Sequence, residues 1–457
     1  MPERRPTPAP SRTGGNADDA PIDAPFPIDP EVLAVLGQLW SAGHGGYLVG
    51  GGVRDALLGL PVSDWDIATD ARPERILRIF PGSSYQNRFG TVLARGMEIT
   101  TFRRDHRYAD HRRPDTITFS TDIFEDLARR DLTINAIAWG RRGPDAAPRV
   151  VDPADGQGDL EARLVRAVGD PVRRFDEDAL RLLRAVRIAA RLDFTIEPMT
   201  RSAMTAHAAD VEWVSEERVS SEIRRMLAAE TPSRAVKLLA DTGILETVLP
   251  ELAALPEPML EHAGATLDAA AAAAPGHERL ALASLLGDIG PEAARTALDR
   301  MRVGSRDIEA VVALIAAAPA PYTSDWSDPD VRRYMGRVRG ELLDDLMTLR
   351  VARAGAGADA DAVAREVELR RRVSAQRTAA TPLTVADLAV DGGDLRETLG
   401  VPEGPLIGAL LARLLADVIE EPALNTRMTL LTRASLVLDE IVHRGPAGSR
   451  PPRTPIR

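Results

Sequence analysis

The stretch Leu48-Val-Gly-Gly-Gly-Val-Arg-Asp-Ala-Leu-Leu-Gly59 constrains the fold of this 457-residue chain more than any other segment. An apolar run that ends in three glycines and resumes as a helical pattern at about Val53 reads as strand, turn and helix. Bare backbone N–H groups at Gly51 and Gly52 can approach a triphosphate closely, because no side chain holds the ligand off. Arg54 supplies charge and donors to the same phosphates. A glycine turn before a helix is also a common structural device, so the segment that follows decides between the two readings.

That segment is Ser63-Asp-Trp-Asp-Ile-Ala-Thr69. Asp64 and Asp66 stand at i and i+2 in a β-rich run, so both carboxylates project from one face with Cα atoms roughly 6.6 Å apart. Two like charges at that spacing are costly without a cation. Their hard oxygen atoms suit Mg2+, and two such ions about 3.5–4 Å apart can activate an attacking hydroxyl and stabilise a leaving pyrophosphate. An isolated Asp-x-Asp after Pro61 would more simply cap a turn. With the glycine and arginine segment just upstream, metal binding is the preferred reading.

Composition narrows the chemistry. There is no cysteine, which excludes disulfides, thiolate nucleophiles and cysteine-ligated metals. No run of 18 uncharged apolar residues occurs, and the first 25 residues lack a basic start and an apolar stretch, so a cytoplasmic protein is expected. The formal charge of −11 argues against a nucleic-acid partner for the chain as a whole. Between Thr101 and Arg191, however, 18 Arg face 16 Asp and Glu, so the acid excess lies elsewhere. Every basic residue but Lys237 is Arg, a bias that makes arginine abundance weak evidence by itself.

Between about 30 and 160, short β-rich runs (47–49, 65–68, 91–93, 98–102, 116–119) alternate with helical stretches at 30–42, 54–58, 73–80 and 130–138. From about 170 onward the apolar pattern is helical almost throughout, with long helices expected at 176–192 and 328–352. The fold class is therefore α+β: an N-terminal head with a small mixed sheet, then an all-α remainder. The expected divisions are a disordered tail (1–26), the head (27–165), a helical neck (166–254), a helical domain (255–355), a C-terminal helical domain (356–443) and a second disordered tail (444–457).

The helical pattern at 176–192 carries a second constellation. Arg181, Arg184 and Arg187 recur every three residues as a basic ridge, while Leu182, Leu183, Val186 and Ala190 face a core. Asp176 reads as the helix cap. An amphipathic helix with a solvated face accounts for most of this. Asp178 and Arg181, one turn apart, also complement cytosine and adenine, which each set an amino donor beside a ring acceptor. Uracil and guanine would bring a carbonyl oxygen against the carboxylate.

The glycine and Asp-x-Asp segments together resemble the nucleotidyltransferase signature of the DNA polymerase β-like superfamily, in its class II branch of tRNA CCA-adding enzymes and bacterial poly(A) polymerases. Relatives usually carry Ala, Cys or Ser at the position of Gly52, a change that only removes a side chain. The family fold adds a further acidic position on a later strand, for which Glu98 is the local candidate; a plain surface glutamate fits the same alternation. Glu177-Asp178-x-x-Arg181 with Arg184 and Arg187 matches the family's nucleotide motif, and the resemblance assigns base recognition to Asp178 and Arg181. Arg129-Arg130-Asp131-Leu-Thr-x-Asn135-Ala matches another motif, with Arg130 near the nucleotide and Asp131 and Asn135, taken as i and i+4 on a helix, joining head to neck. The loop 103–115, with Asp110-His-Arg-Arg-Pro114, favours C-then-A specificity.

The 255–355 stretch resembles a metal-dependent phosphohydrolase domain of the HD type in which the His-Asp doublet has become Gly287-Asp288. His262 alone cannot assemble such a site, so that chemistry is read as lost. The resemblance as a whole implies an Mg2+-dependent enzyme that adds CMP, CMP and AMP to the tRNA 3′ end, with CTP and ATP as substrates. A bacterial poly(A) polymerase is the rival with the same chemistry. A catalytically silent RNA-binding scaffold is the rival of another class.

Overall fold

The computed structural model describes residues 24–87, 90–106, 116–357 and 359–444. The chain divides into two units, Met1–Val214 and Ser215–Arg457. The first opens with helix α1 (Pro30–Ser41), which Asp29 caps by accepting from the Glu31 N–H at 2.9 Å. Its apolar residues Val32, Val35, Leu36 and Leu39 recur at helical spacing and are buried. Strand β1 (Gly46–Val49), helix α2 (Gly51–Leu57), strand β2 (Asp66–Thr69) and helix α3 (Pro73–Ile79) follow. Then come strands β3 (Ser84–Asn87), β4 (Thr91–Ala94), β5 (Met97–Thr101), β6 (Arg103–His106) and β7 (Thr116–Phe119), helix α4 (Ile123–Ala128), strands β8 (Ala138–Arg141) and β9 (Arg149–Val151), and the short helix α5 (Gly156–Glu161).

Seven strands form one mixed sheet in the order β3-β4-β5-β2-β1-β8-β9, with only β2 and β5 parallel. The expected α+β class therefore holds, although three strands of this sheet, β3, β8 and β9, fall where a helix or no element was expected. β1 lies between β2 and β8, which is why all four of its residues are buried. One face of the sheet carries a core of Tyr47, Val49, Ala68, Phe102 and Ala138 packed on Ile123 and Leu127 of α4.

Several sequence expectations need correction. The helix at 130–138 is absent: the Asp131 carboxylate accepts from the Leu132 N–H at 2.9 Å and from Asn135 at 3.2 Å, and these local bonds compete with helix formation. A short 3-10 turn (Thr133–Asn135) and β8 stand there instead. The helix at 176–192 is two, α6 (Pro171–Glu177) and α7 (Leu180–Leu192), because Asp178 is extended and its carboxylate accepts from the Leu180 N–H at 3.1 Å. The cap of α6 is Asp170, not Asp176. Arg103–His106 pairs with β7 rather than belonging to a loop, and Asp110–Pro114 lies outside the described residues. Phe26, assigned to the N-terminal tail, is buried and stacks on Trp65 with ring centroids 6.0 Å apart. Residues 1–23 and 445–457 of the two expected tails lie outside the described residues.

The second unit is helical among its described residues, from Glu216–Leu227 to Arg427–Arg444. The helix expected at 328–352 is broken into Asp328–Met335 and Leu343–Ala356, with Gly336 and Gly340 in the break. Near the C-terminal end of the second of these helices, His262 and Asp288 meet, Nδ1 to Oδ2 at 2.7 Å, and Arg353 Nη2 donates to the other Asp288 oxygen at 2.6 Å. A Cβ on Gly287 would lie 2.5 Å from Arg353 Nη1, so the guanidinium occupies the space a longer side chain would need.

Candidate active site

The end of β1 is set by Gly50, whose φ of 77° places it in the left-handed region that favours glycine. Space enforces the same choice: a Cβ there would lie 2.9 Å from Arg130 Nη1 and 3.7 Å from Asp66 Oδ2. Those distances bring Arg130 and the Asp66 carboxylate together over the turn. Gly51 and Gly52 open α2, where no side chain caps the first N–H groups. Gly52 is more than a deleted side chain. A Cβ at that position would meet the Asp64 carbonyl at 2.9 Å and the Trp65 ring at 3.0 Å, so the Asp64–Trp65 segment lies directly on α2.

Asp66 is the first residue of β2 and pairs with Val49, while Asp64 precedes the strand and is exposed. Asp66 keeps surface open to solvent, yet protein atoms crowd its carboxyl. That desolvation raises it above the ordinary aspartate value, Arg130 opposes the rise, Asp64 adds to it and Arg184 opposes it. The parallel register pairs Ile67 with Ile99, and one step back it sets Glu98 beside Asp66 on the same face. Glu98 is exposed.

Arg130 is held by Asp126, which it contacts at 3.3 Å, and by the Asn135 carbonyl at 3.5 Å. Its Nε is buried and has no acceptor among the described residues. Asp126 itself is 1% exposed and also takes Arg129 at 2.6 Å. Burial would push its carboxyl up, but the two arginines hold it below the usual range. Nothing in the sequence singled out Asp126. Its position four residues before Arg130 was the available signal.

Arg54 is placed differently from the expectation of a direct phosphate ligand. It is 3% exposed and donates to Asp55 at 2.8 Å and to Asn135 at 2.6 Å. Burial lowers its guanidinium value and Asp55 opposes that change. A Cβ on Gly51 would lie 3.4 Å from its Nη2, so Arg54 braces the glycine turn from beneath. Asp55 passes the contact on to Arg191 of α7 at 2.8 Å. Neither Asp55 nor Arg191 was foreseen, since their partners are far apart in the chain.

Helix α7 brings its arginines to the same place. Arg184 donates to Asp131 at 2.6 Å, and Asn135 bonds Asp131 as well, so Asp131 ties the short 3-10 turn to α7 although no helix carries it. Burial would raise the Asp131 carboxyl, but the charge and hydrogen bond of Arg184 dominate and hold it well below the carboxylate range. Arg181 donates to Glu177 at 2.7 Å, to the Arg174 carbonyl at 3.2 Å and to the Arg129 carbonyl at 3.1 Å, beside Arg130 in sequence. Arg187 is half-buried on the same helix, and its charge reaches Arg54. Asp178 lies at the junction of α6 and α7, half-buried.

Among the described residues one group of three side chains could bring ligand atoms together: Asp176, His207 and Asp210. Both acids address the same imidazole nitrogen, Nδ1, at 3.5 and 2.7 Å. That geometry describes an ion-pair cluster on one nitrogen. The Asp64 and Asp66 pair offers only oxygen donors, with like charge to be neutralised, and fits a divalent cation better.

Three family models match in series: the Poly A polymerase head domain over residues 46–166, the RNA and SrmB-binding site of polymerase A over 193–255, and tRNA nucleotidyltransferase domain 2 over 276–434. The third match runs through residue 355, where the sequence suggested a domain boundary. The chain is 35% identical to the CCA-adding enzyme of Geobacillus thermodenitrificans over 406 residues, covering 87% of this chain and 94% of the relative. With the CCA-adding enzyme of Limosilactobacillus fermentum the identity is 36% over 420 residues, covering 88% and 96%. The structure resembles that of the Bacillus stearothermophilus CCA-adding enzyme in complex with CTP, with a TM-score of 0.71, 28% identity and coverage of 91% of this chain and 100% of that one. No helix among the described residues is long and apolar enough to cross a membrane. An acid pair at a strand end, arginines gathered from loop and helix around it, and relatives matched along nearly their whole length lead to one conclusion: the chain belongs to the CCA-adding enzyme family of nucleotidyltransferases.

Proposed function

We propose that this chain is a tRNA nucleotidyltransferase that adds CMP, CMP and AMP to the tRNA 3′ end without a nucleic-acid template, releasing pyrophosphate, and that it works with Mg2+ in the cytoplasm. The observation that carries this reading is the Asp66 carboxylate at the end of the glycine turn, with Asp64 two residues before it and Arg130 Nη1 beside it over Gly50. Mg2+ on Asp64 and Asp66, with Glu98 as a third oxygen donor, would activate the terminal hydroxyl and stabilise the leaving pyrophosphate.

The chain's own residues do the rest. Gly51 and Gly52 let the backbone approach the triphosphate, and Arg54 keeps that turn in shape from below. Arg130 donates to a phosphate or ribose oxygen, with Arg184 and Arg187 adding positive charge. Asp178 and Arg181 read the base edge. Three N–H bonds of Arg181 are spent on protein acceptors, which fixes the guanidinium plane and leaves Nε–H and one Nη2–H for the base. The helical stretch 166–254 serves as neck and RNA-binding domain, a reading supported by the RNA-binding family model matched over 193–255.

The test is incubation of tRNA lacking its last three nucleotides with Mg2+ and each nucleotide in turn. Two additions from CTP, then one from ATP and none from UTP or GTP, are expected. A long run of A with no C incorporation would replace this reading with poly(A) synthesis.

A further inference from the structure

A cavity of about 240 Å3 opens at the other end of the same sheet face, where β1 begins. The acid pair stands at the Val49–Asp66 end of the β1–β2 ladder, and this cavity at the Gly46–Thr69 end, lined by Tyr47, Asp70, Asp122, Phe124, Arg142 and Arg149. Tyr47 is only 6% exposed, its ring packed 5.9 Å from that of Phe102. Its hydroxyl makes no hydrogen bond to the described residues and is not sealed from solvent, so it opens onto the cavity. A phenol O–H that opens onto a cavity and is not spent on a protein acceptor is available to donate to a ligand there.

The charges around it are unevenly satisfied. Asp70 takes the Gly45 N–H and His44, both at 3.0 Å, and Asp122 takes the Phe124 N–H at 3.0 Å. Arg142 and Arg149 are exposed, have no partner among the described residues, and both act electrostatically on the Tyr47 hydroxyl. Each acid is engaged through Oδ1 and keeps Oδ2 open, whereas the two guanidiniums keep all their donors open, so a ligand that brings acceptors meets the larger set of open partners. Beside them Phe124 leaves 48% of its surface in solvent, an aromatic face of the kind on which a base stacks.

We propose that this cavity is a second phosphate-binding site, which takes the phosphoryl group of a nucleotide on Arg142, Arg149 and the Tyr47 hydroxyl while the attached base lies on Phe124. It is independent of how the incoming nucleotide is read at the opposite end. The nucleotide can belong to a bound RNA strand or be free, and the two sources separate experimentally. Wild type, Arg142→Ala with Arg149→Ala, and Tyr47→Phe are compared in three measurements: affinity for end-trimmed tRNA against KCl concentration, AMP stoichiometry by calorimetry, and KM for CTP.

If the source is RNA, the double variant loses about 3- to 10-fold in tRNA affinity, its salt slope falls by about 1–2 for the two lost contacts, and AMP stoichiometry is unchanged. If the source is a free nucleotide, AMP stoichiometry drops by one and tRNA binding is unchanged. In either case Tyr47→Phe shifts the same quantity in the same direction, and KM for CTP stays within about twofold. Three results each overturn the proposal: no change in tRNA affinity, salt slope or AMP stoichiometry; an effect of the arginine variant with none from Tyr47→Phe, which means diffuse surface charge; or a parallel rise in KM for CTP.

Discussion

Asp66 in the head and Asp288 in the helical unit are both aspartates beside basic side chains, yet their surroundings differ in kind. Asp288 receives a cation from its own chain: Arg353 at 2.6 Å on one oxygen and His262 at 2.7 Å on the other. Asp66 faces a second carboxylate, is raised by desolvation, and has Arg130 near it without a direct ion pair among the described residues. The first arrangement is complete as it stands. The second is left with a surplus of negative charge, which in the proposed function a divalent cation and the nucleotide phosphates complete. An acid whose charge the fold leaves unbalanced marks a working site better than the mere presence of acids and bases.

The sharpest way to break this contrast is to remove the unbalanced charge. Asp66→Ala or Asp64→Ala is expected to lower incorporation of both C and A by on the order of 10^3-fold or more, with folding retained, since each change relieves repulsion. Near-normal turnover in a folded variant would end the assignment. Next in size is base selectivity. Asp178→Ala should relax discrimination against UTP and GTP by about 10- to 100-fold in relative incorporation. Because Asp178 also accepts from the Leu180 N–H, a loss of roughly 1 kcal/mol in stability accompanies it. A stability loss with unchanged CTP/UTP and ATP/GTP ratios would reduce Asp178 to a cap.

Asp126→Asn releases Arg130 without touching the acids. A drop of about tenfold in kcat/KM for both nucleotides, with unchanged selectivity, is the expected result from steady-state kinetics. A change in base preference instead would place Asp126 in base reading. Asp131→Asn probes the link to α7. The Asp131 carboxyl is depressed in the folded protein, so its stabilisation, about 2 kcal/mol, is present above the ordinary aspartate pKa and is lost as pH falls through and below that range. Denaturation curves of wild type and variant should therefore differ at pH 7 and converge in acid; a gap independent of pH would contradict the ion pair with Arg184. The smallest effect is predicted for Asp288→Asn, which lowers the melting temperature by a few degrees but keeps incorporation within about twofold.

Legibility from sequence followed the range of the interactions. The strand, turn and helix around Gly50 and the acid pair were readable because each depends on a few adjacent residues. The core face of α7 was readable for the same reason, and Leu182, Leu183, Val186 and Ala190 are all buried. The helix expected at 130–138 failed because Asp131 spends its carboxylate on its own backbone and on Asn135, which apolar periodicity does not register. Arg54 had the residue type of a phosphate ligand, but its partner Asn135 lies 81 residues away, and that contact turns it inward. The substitution of Arg353 for a longer side chain at Gly287 was likewise invisible, since the two meet only in three dimensions.

One measurement addresses the contrast between the two aspartates directly: counting Mn2+ bound at saturating CTP, by electron paramagnetic resonance, in wild type, Asp66→Ala and Asp288→Ala. The account predicts that Asp66→Ala loses nucleotide-dependent Mn2+ while Asp288→Ala binds as wild type does. Full Mn2+ binding in Asp66→Ala, or its loss in Asp288→Ala, would contradict it.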